Sequence, residues 1–285
     1  MCAKALRRGG RLVFVGAGTS GRLGALESAE MPPTFGTDPS LVQAIMAGGQ
    51  GALLRAKEGA EDNYEEGTRA LTRLAPGTRD VVIGVSASGM TPFVRGALTS
   101  ARHAGARVIF VTCDPRSELQ TFVDLTVAPS VGPEVIAGST RLKAGTATKL
   151  VLNAITTAAM VLIGKTYGNL MVDVKTGSEK LRDRARRIVQ MVTGLEYDDA
   201  DRLLVRAHWN VKAAIVMQKG GLSYQKALGR IRRAKDQLRD AIHEDIEPRL
   251  RALVDGAPMV SPDATPATAA PQAAAPRRRS GRPRR

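Results

Sequence analysis

The sequence predicts an α/β protein, with a doubly wound, five-stranded parallel sheet followed by a small helical module and a disordered basic tail. Three observations carry that expectation. Short apolar runs starting near Arg11, Leu41, Asp80, Arg107 and Leu125 alternate with stretches of helical period. Helical periodicity alone prevails from Lys180 to Glu247. Beyond Leu253 Pro and Ala become frequent and periodicity vanishes, so Pro258 to Arg285 is expected to be disordered. The expected boundaries are 1–165 for the sheet domain, 166–254 for the helical module and 255–285 for the tail.

The first apolar run belongs to Arg11–Gly24, RLVFVGAGTSGRLG, which reads as a strand, a turn and a helix start. Gly16, Gly18 and Gly21 allow a sharp turn and close approach of an anion, which a helix start favours with its unpaired N–H groups. Thr19 and Ser20 add hydroxyl donors and Arg22 adds charge. An ordinary Gly-rich turn fits these residues equally well. The three glycines also satisfy G-x-G-x-x-G, but that dinucleotide fingerprint requires an acidic residue after the second strand. The second strand, Leu41–Ala47, runs instead into Gly48, Gly49 and Gln50. A simple phosphate ester is therefore favoured over a dinucleotide, and no cofactor is expected.

The helix after the first loop is expected over Leu23–Glu30 and to stop at Met31-Pro32-Pro33, because a residue before proline resists helical geometry. Glu30 then lies at a helix end, where a carboxylate is ordinarily just solvated. In AKEGAEDN, helical spacing places Glu58 and Glu61 on one face, again the pattern of a charged surface. Asp80–Val94, DVVIGVSASGMTPFV, repeats the opening design: a strand, then Ser86, Ser88, Gly89 and Thr91, then a helix. In an open parallel sheet, loops at the carboxyl ends of neighbouring strands line one crevice, so hydroxyls of both loops can converge on a phosphate. A helix over Phe93–Ala104 and strands over Arg107–Thr112 and Leu125–Pro129 follow. Gly132-Pro133-Glu134 precedes Ser139–Thr146, whose hydroxyls and cations, Lys143 among them, open a long apolar helix as either a third anion-binding edge or a routine cap. The last helices are expected over Lys180–Val192, Asp198–Trp209, Val211–Gln218 and Ser223–Glu247.

Composition narrows the function. With 43% hydrophobic residues, 285 residues suffice for a buried core, and 4% aromatic content makes that core aliphatic. The formal charge is +15, but Arg277, Arg278, Arg279, Arg282, Arg284 and Arg285 crowd the last ten residues, and the remainder carries +9. That tail contains a Gly-Arg-Pro core flanked by arginines, which at most supports weak nucleic-acid binding. Cys2 and Cys113 form no disulfide framework, and His103, His208 and His243 show no ligand spacing, so no metal is expected. The apolar run from Leu12 breaks at Gly16 after four residues, shorter than the ~7 of a signal core. Leu150–Ile163 is the longest apolar segment, contains Asn153, Thr156 and Thr157, and is shorter than the ~20 residues of a membrane span. It reads as a buried helix of a soluble, cytoplasmic protein with no membrane partner.

Taken together, GAGTSGRLG, ESAEMPPTFG, EGAEDN, VSASGMTPFV, VGPEVIAGSTRLKAGTATKLVLN and GKTYGNLMVDV resemble the N-acetylmuramic acid 6-phosphate etherase family of the sugar isomerase (SIS) superfamily. The resemblance covers most of the chain before the tail. It implies a lyase acting on that sugar phosphate in peptidoglycan recycling, with Glu30 as acid and Glu61 as base and no metal or cofactor. Substrate binding falls on Gly18, Thr19, Ser20, Arg22, Ser86, Ser88, Thr91 and Lys143. It also implies a homodimer with the site near the subunit junction, where the KAGT stretch serves a neighbouring chain. Two departures stand out: relatives carry a leading helical segment where Met1 is only ten residues ahead of Arg11, and tend to have Asn where this chain reads Thr176-Gly177-Ser178. Alternatives are a noncatalytic sugar-phosphate sensor, a sugar-phosphate isomerase, and nucleic-acid binding through the tail.

Overall fold

A computed structural model describes residues 1–248 and 250. The expected tail, Pro258–Arg285 with its arginines, lies outside the described residues. The sheet contains β1 (Leu12–Gly16), β2 (Val42–Met46), β3 (Val81–Val85), β4 (Arg107–Val111) and β5 (Leu125–Val127), all parallel in the order β2-β1-β3-β4-β5. All five expected strands are present. β1 and β3 are buried along their whole length, as strands covered on both faces must be, and this is why they read as unbroken apolar runs.

Alternate residues of each strand serve opposite faces. Leu12, Phe14, Val81, Ile83 and Ile109 pack with α1 (Cys2–Arg7), α2 (Gly18–Phe35) and α6 (Lys143–Leu162). Val13, Val15, Val82, Val108 and Phe110 pack with α4 (Tyr64–Arg73) and α5 (Pro92–His103). A Cβ at Gly67 would lie 2.0 Å from the Phe93 carbonyl oxygen and one at Gly96 2.1 Å from that of Tyr64, so α4 and α5 touch backbone to backbone. Between β2 and α4 the chain makes a short α3 (Gly51–Leu54) and a 3₁₀ turn, Ala60–Asp62.

Three expectations for the sheet domain are corrected. First, α2 does not stop before the prolines. It continues through Pro32 and Pro33 to Phe35, because Met31 and Phe35, one turn apart, are both buried in the core; Gly36, at φ 64°, then ends it by donating its N–H to the Pro32 carbonyl. Glu30 is therefore interior to the helix. Second, Glu58 lies in a turn and Glu61 in the 3₁₀ turn, so the two share no helical face. Third, α6 is 20 residues long, enough to cross a bilayer, and it is not wholly buried: Leu150, Val161 and Leu162 are exposed. Its inner face is partly polar, and Asn153 and Thr156 donate to the buried carboxylate of Glu27 on α2.

α7 (Glu179–Thr193), α8 (Tyr197–Arg206), α9 (Val211–Gly220), α10 (Tyr224–Arg233) and α11 (Leu238–Ile242) gather around a core of their own that includes Ile188, Leu203, Leu204, Ile215 and Ala227. The run expected over Ser223–Glu247 breaks at Ala234–Gln237. That break repeats the α8–α9 turn 27 positions earlier: His208 and Trp209 have φ of 51° and 59°, and Lys235 and Asp236 have 52° and 63°. Trp209 N–H bonds the Leu204 carbonyl as Asp236 N–H bonds that of Ile231. The module is thus a tandem pair of helix-turn-helix units, with Tyr197, Ala200, Arg206, Ala207 and Ala214 matched by Tyr224, Ala227, Arg233, Ala234 and Ala241.

Candidate functional site

The strand order reverses direction between β1 and β3, so the crevice at their carboxyl ends is where a doubly wound sheet receives a ligand. The loop after β1 is shaped by glycine. A Cβ at Gly16 would lie 2.7 Å from the Gly21 nitrogen, and Gly18 has φ 53°. No side chain caps the start of α2, which leaves its first N–H groups directed at the crevice beside Thr19 and Ser20. Arg22 turns elsewhere: its guanidinium donates to the carbonyls of Leu53 at 2.9 Å and Ala52 at 2.8 Å, tying α2 to α3.

After β3, Ser86 and Thr91 are buried and bond each other at 2.7 Å, closing the loop on itself. Ser117 donates to the Gly89 carbonyl at 2.7 Å from the neighbouring loop. Gly89, at φ 76°, has no room for a Cβ, which would lie 2.6 Å from that of Ser117. Ser88 is exposed and is the hydroxyl of this loop that faces outward. Of the three, Ser86 and Thr91 are paired with each other and Ser88 is open to solvent.

The two candidate carboxylates part company in the single chain. Glu61 lines a cavity of about 160 Å³ with Gly18, Arg22, Lys57, Glu58 and Gly59, which brings it to the first loop. Glu30 is exposed on α2, outside that cavity. It follows Arg22 by eight residues, roughly 12 Å along the helix axis.

The third edge is the start of α6. A Cβ at Gly145 would lie 3.6 Å from the Thr19 methyl, which puts this turn against the first loop. The Cys113 thiol contacts the Ala144 carbonyl at 3.8 Å and Thr148 at 3.9 Å; burial pushes that thiol's pKa up, its bond to Thr148 acting the other way. The Lys143 side chain is exposed. Glu134 does what its sequence position left open: its carboxylate accepts from the N–H groups of Lys143 at 2.8 Å and Ala144 at 3.0 Å. The Ala144 N–H foremost, then that of Lys143 and its ammonium, hold the Glu134 carboxyl below the ordinary range, against the opposing effect of burial. The Gly-Pro-Glu triplet ahead of a helix start was the signal for it. Among the described residues no three of His, Cys, Asp and Glu gather within reach of one metal ion.

The family model described as Glucokinase regulatory protein N-terminal SIS domain matches residues 1–102. The chain is 52% identical over 243 residues to a protein of Salinibacter ruber named N-acetylmuramic acid 6-phosphate etherase, covering 85% of this chain and 78% of the relative. Proteins of the same name from Gloeobacter violaceus and Caldanaerobacter subterraneus are 56% identical over 217 residues and 49% over 237, covering 76% and 83% of this chain and 71% and 78% of their own. Among solved structures, an E. coli CFT073 protein in complex with A5P aligns at 25% identity over 54% of this chain and 70% of its own, at a TM-score of 0.40, too low to transfer site geometry.

Proposed function

Because the chain belongs to the N-acetylmuramic acid 6-phosphate etherase family, we propose that it cleaves the lactyl ether of N-acetylmuramic acid 6-phosphate, with Glu61 as base and Glu30 as acid. The products are N-acetylglucosamine 6-phosphate and D-lactate, and the setting is peptidoglycan amino-sugar recycling in the cytoplasm. The observation that carries the reading is Glu61 beside Gly18, a carboxylate delivered to an anion-binding loop.

The chemistry suits these residue types. In the open-chain sugar the aldehyde acidifies the proton on the adjacent carbon. Glu61, ionised, removes that proton, its electron pair forms a carbon–carbon double bond, and the bond to the lactyl oxygen breaks as Glu30, protonated, gives its proton to that oxygen. Water then adds across the double bond, a hydroxyl to the carbon that held lactate and a proton to its neighbour, which resets both carboxyls. Such a division of labour needs one carboxyl ionised and one protonated. Ser20, Ser88 and the N–H groups at the start of α2 hold the phosphate away from the reacting carbons, so binding energy orients them, while Ser86 and Thr91 hold the second loop in shape.

Glu30 lies outside the cavity of its own chain, and this supports a homodimer with the site at the subunit junction. The surfaces suited to that junction are adjacent. Leu26, one turn before Glu30, is 50% exposed, and the packed neighbour α6 exposes Leu150 at 60% together with Ala154, Ala158 and Val161 along one side.

The test is lactate release from N-acetylmuramic acid 6-phosphate in EDTA by the wild type, Glu30→Gln and Glu61→Gln. Each variant is expected to lose about 10²-fold or more. Undiminished release by either variant removes that residue from the mechanism. A folded wild type that binds the sugar phosphate and yields no lactate is a sensor.

A further inference from the structure

The segment between β5 and α6 leads into the helix start that abuts the first loop and is held at one residue. Among the described residues, the hydrogen bonds that leave residues 129–141 are the two accepted by Glu134, from the N–H groups of Lys143 and Ala144. The bond from Ser139 N–H to the Ile136 carbonyl is internal to the segment. Packing adds little, since no residue of the segment is buried and Val135 and Ile136, next to the latch, are 81% and 62% exposed.

Both bonds end on the turn that carries Lys143 and abuts Thr19. A Cβ at Gly132 would lie 3.9 Å from the Lys143 ammonium, so the segment runs beside that side chain as well as over its backbone. We infer that Glu134 is a positioning residue, whose carboxylate latches residues 129–141 across the first turn of α6 and thereby sets the Lys143 ammonium at the crevice. A carboxylate suits the task because two N–H groups need two acceptor atoms and the start of a helix favours negative charge. Glutamine offers one acceptor where two are needed. Aspartate offers both on a shorter arm.

The effect on substrate rests on the etherase reading; the latch does not. The experiment therefore uses two readouts on the full chain carrying Glu134→Gln or Glu134→Asp: trypsin cleavage after Arg141 and Lys143, and KM and kcat for N-acetylmuramic acid 6-phosphate. The glutamine variant is expected to be nicked several-fold faster at an unchanged thermal midpoint. Its KM should rise about fivefold, the worth of one ordinary hydrogen bond, with kcat within about twofold. Aspartate should recover part of both. Adding Glu134→Gln to Lys143→Ala should raise KM no further than Lys143→Ala alone, since the latch acts through Lys143. Nicking at the wild-type rate overturns the latch, and faster nicking with unchanged KM, or an additive double variant, overturns the positioning role. Should the wild type release no lactate, the etherase reading fails by itself, and the dissociation constant for the same sugar phosphate takes the place of KM.

Discussion

Asp80 joins the two strands whose ends carry the glycine- and hydroxyl-rich loops. At the opposite end of the sheet its carboxylate accepts from the Arg11 N–H at 2.8 Å, the Gly77 N–H at 3.0 Å and the Arg11 guanidinium at 2.7 Å. Burial alone would raise the Asp80 pKa, but Arg11 and the two N–H groups more than offset it and hold the carboxyl below its ordinary range. Its stabilising contribution is therefore complete above the unfolded value of about 3.9 and is lost as pH falls through the lower folded value. Asp80→Asn should cost about 2–3 kcal/mol in urea unfolding at pH 7, where charged hydrogen bonds are removed, and the difference from wild type should shrink in acid. A variant equally destabilised at pH 7 and pH 3 would show that packing, not charge, sets the loss. Residue types at the site were legible from spacing; their partners were not. Nothing in the spacing shows that Ser86 and Thr91 satisfy each other or that Arg22 is taken up by Ala52 and Leu53, because those pairings depend on how separate elements meet.

At the scale of the element, the strands were read correctly because β1, β3 and β4 are apolar runs buried on both faces, the strongest signal a parallel sheet offers. The helices were read less well where local and tertiary preferences disagree. Pro32 and Pro33 argue for a stop, and the burial of Met31 and Phe35 overrides them. The tandem repeat is hidden in the sequence for a related reason: its turns hold His208-Trp209 and Lys235-Asp236, none of them glycine, at φ values glycine ordinarily supplies. Lys235 is exposed, so little but backbone strain is at stake there. Lys235→Gly should stabilise the protein by about 0.5–1 kcal/mol in urea unfolding, relief of the left-handed strain outweighing the added entropy of the unfolded chain. A loss of stability instead would mean that the lysine side chain holds the turn.

For the whole molecule, the sheet and its crevice follow from the order of strands and loops, whereas the proposed pairing of Glu30 with Glu61 does not, because one chain leaves Glu30 outside the cavity that Glu61 lines. The apolar side of α6 explains how the sequence misled: Leu150, Ala154, Ala158 and Val161 look like core, yet they face outward, and a hydropathy pattern cannot distinguish a core from a covered interface. If two copies meet there and Glu30 of one protomer serves the Glu61 of its partner, the two inactive variants should complement each other. A mixture of Glu30→Gln and Glu61→Gln chains, unfolded and refolded together, forms mixed dimers in about half of the cases, each with one intact site of two, so lactate release should recover to about a quarter of wild type. A site contained within one chain gives no recovery, because every chain in the mixture then lacks one carboxyl. Leu150→Glu tests the surface by an independent route: on a free face it should change stability by less than about 0.5 kcal/mol, while on a buried junction it should yield a folded monomer in sedimentation that has lost lactate release. A monomeric wild type with full activity would place Glu30 and Glu61 in one chain and overturn the shared site.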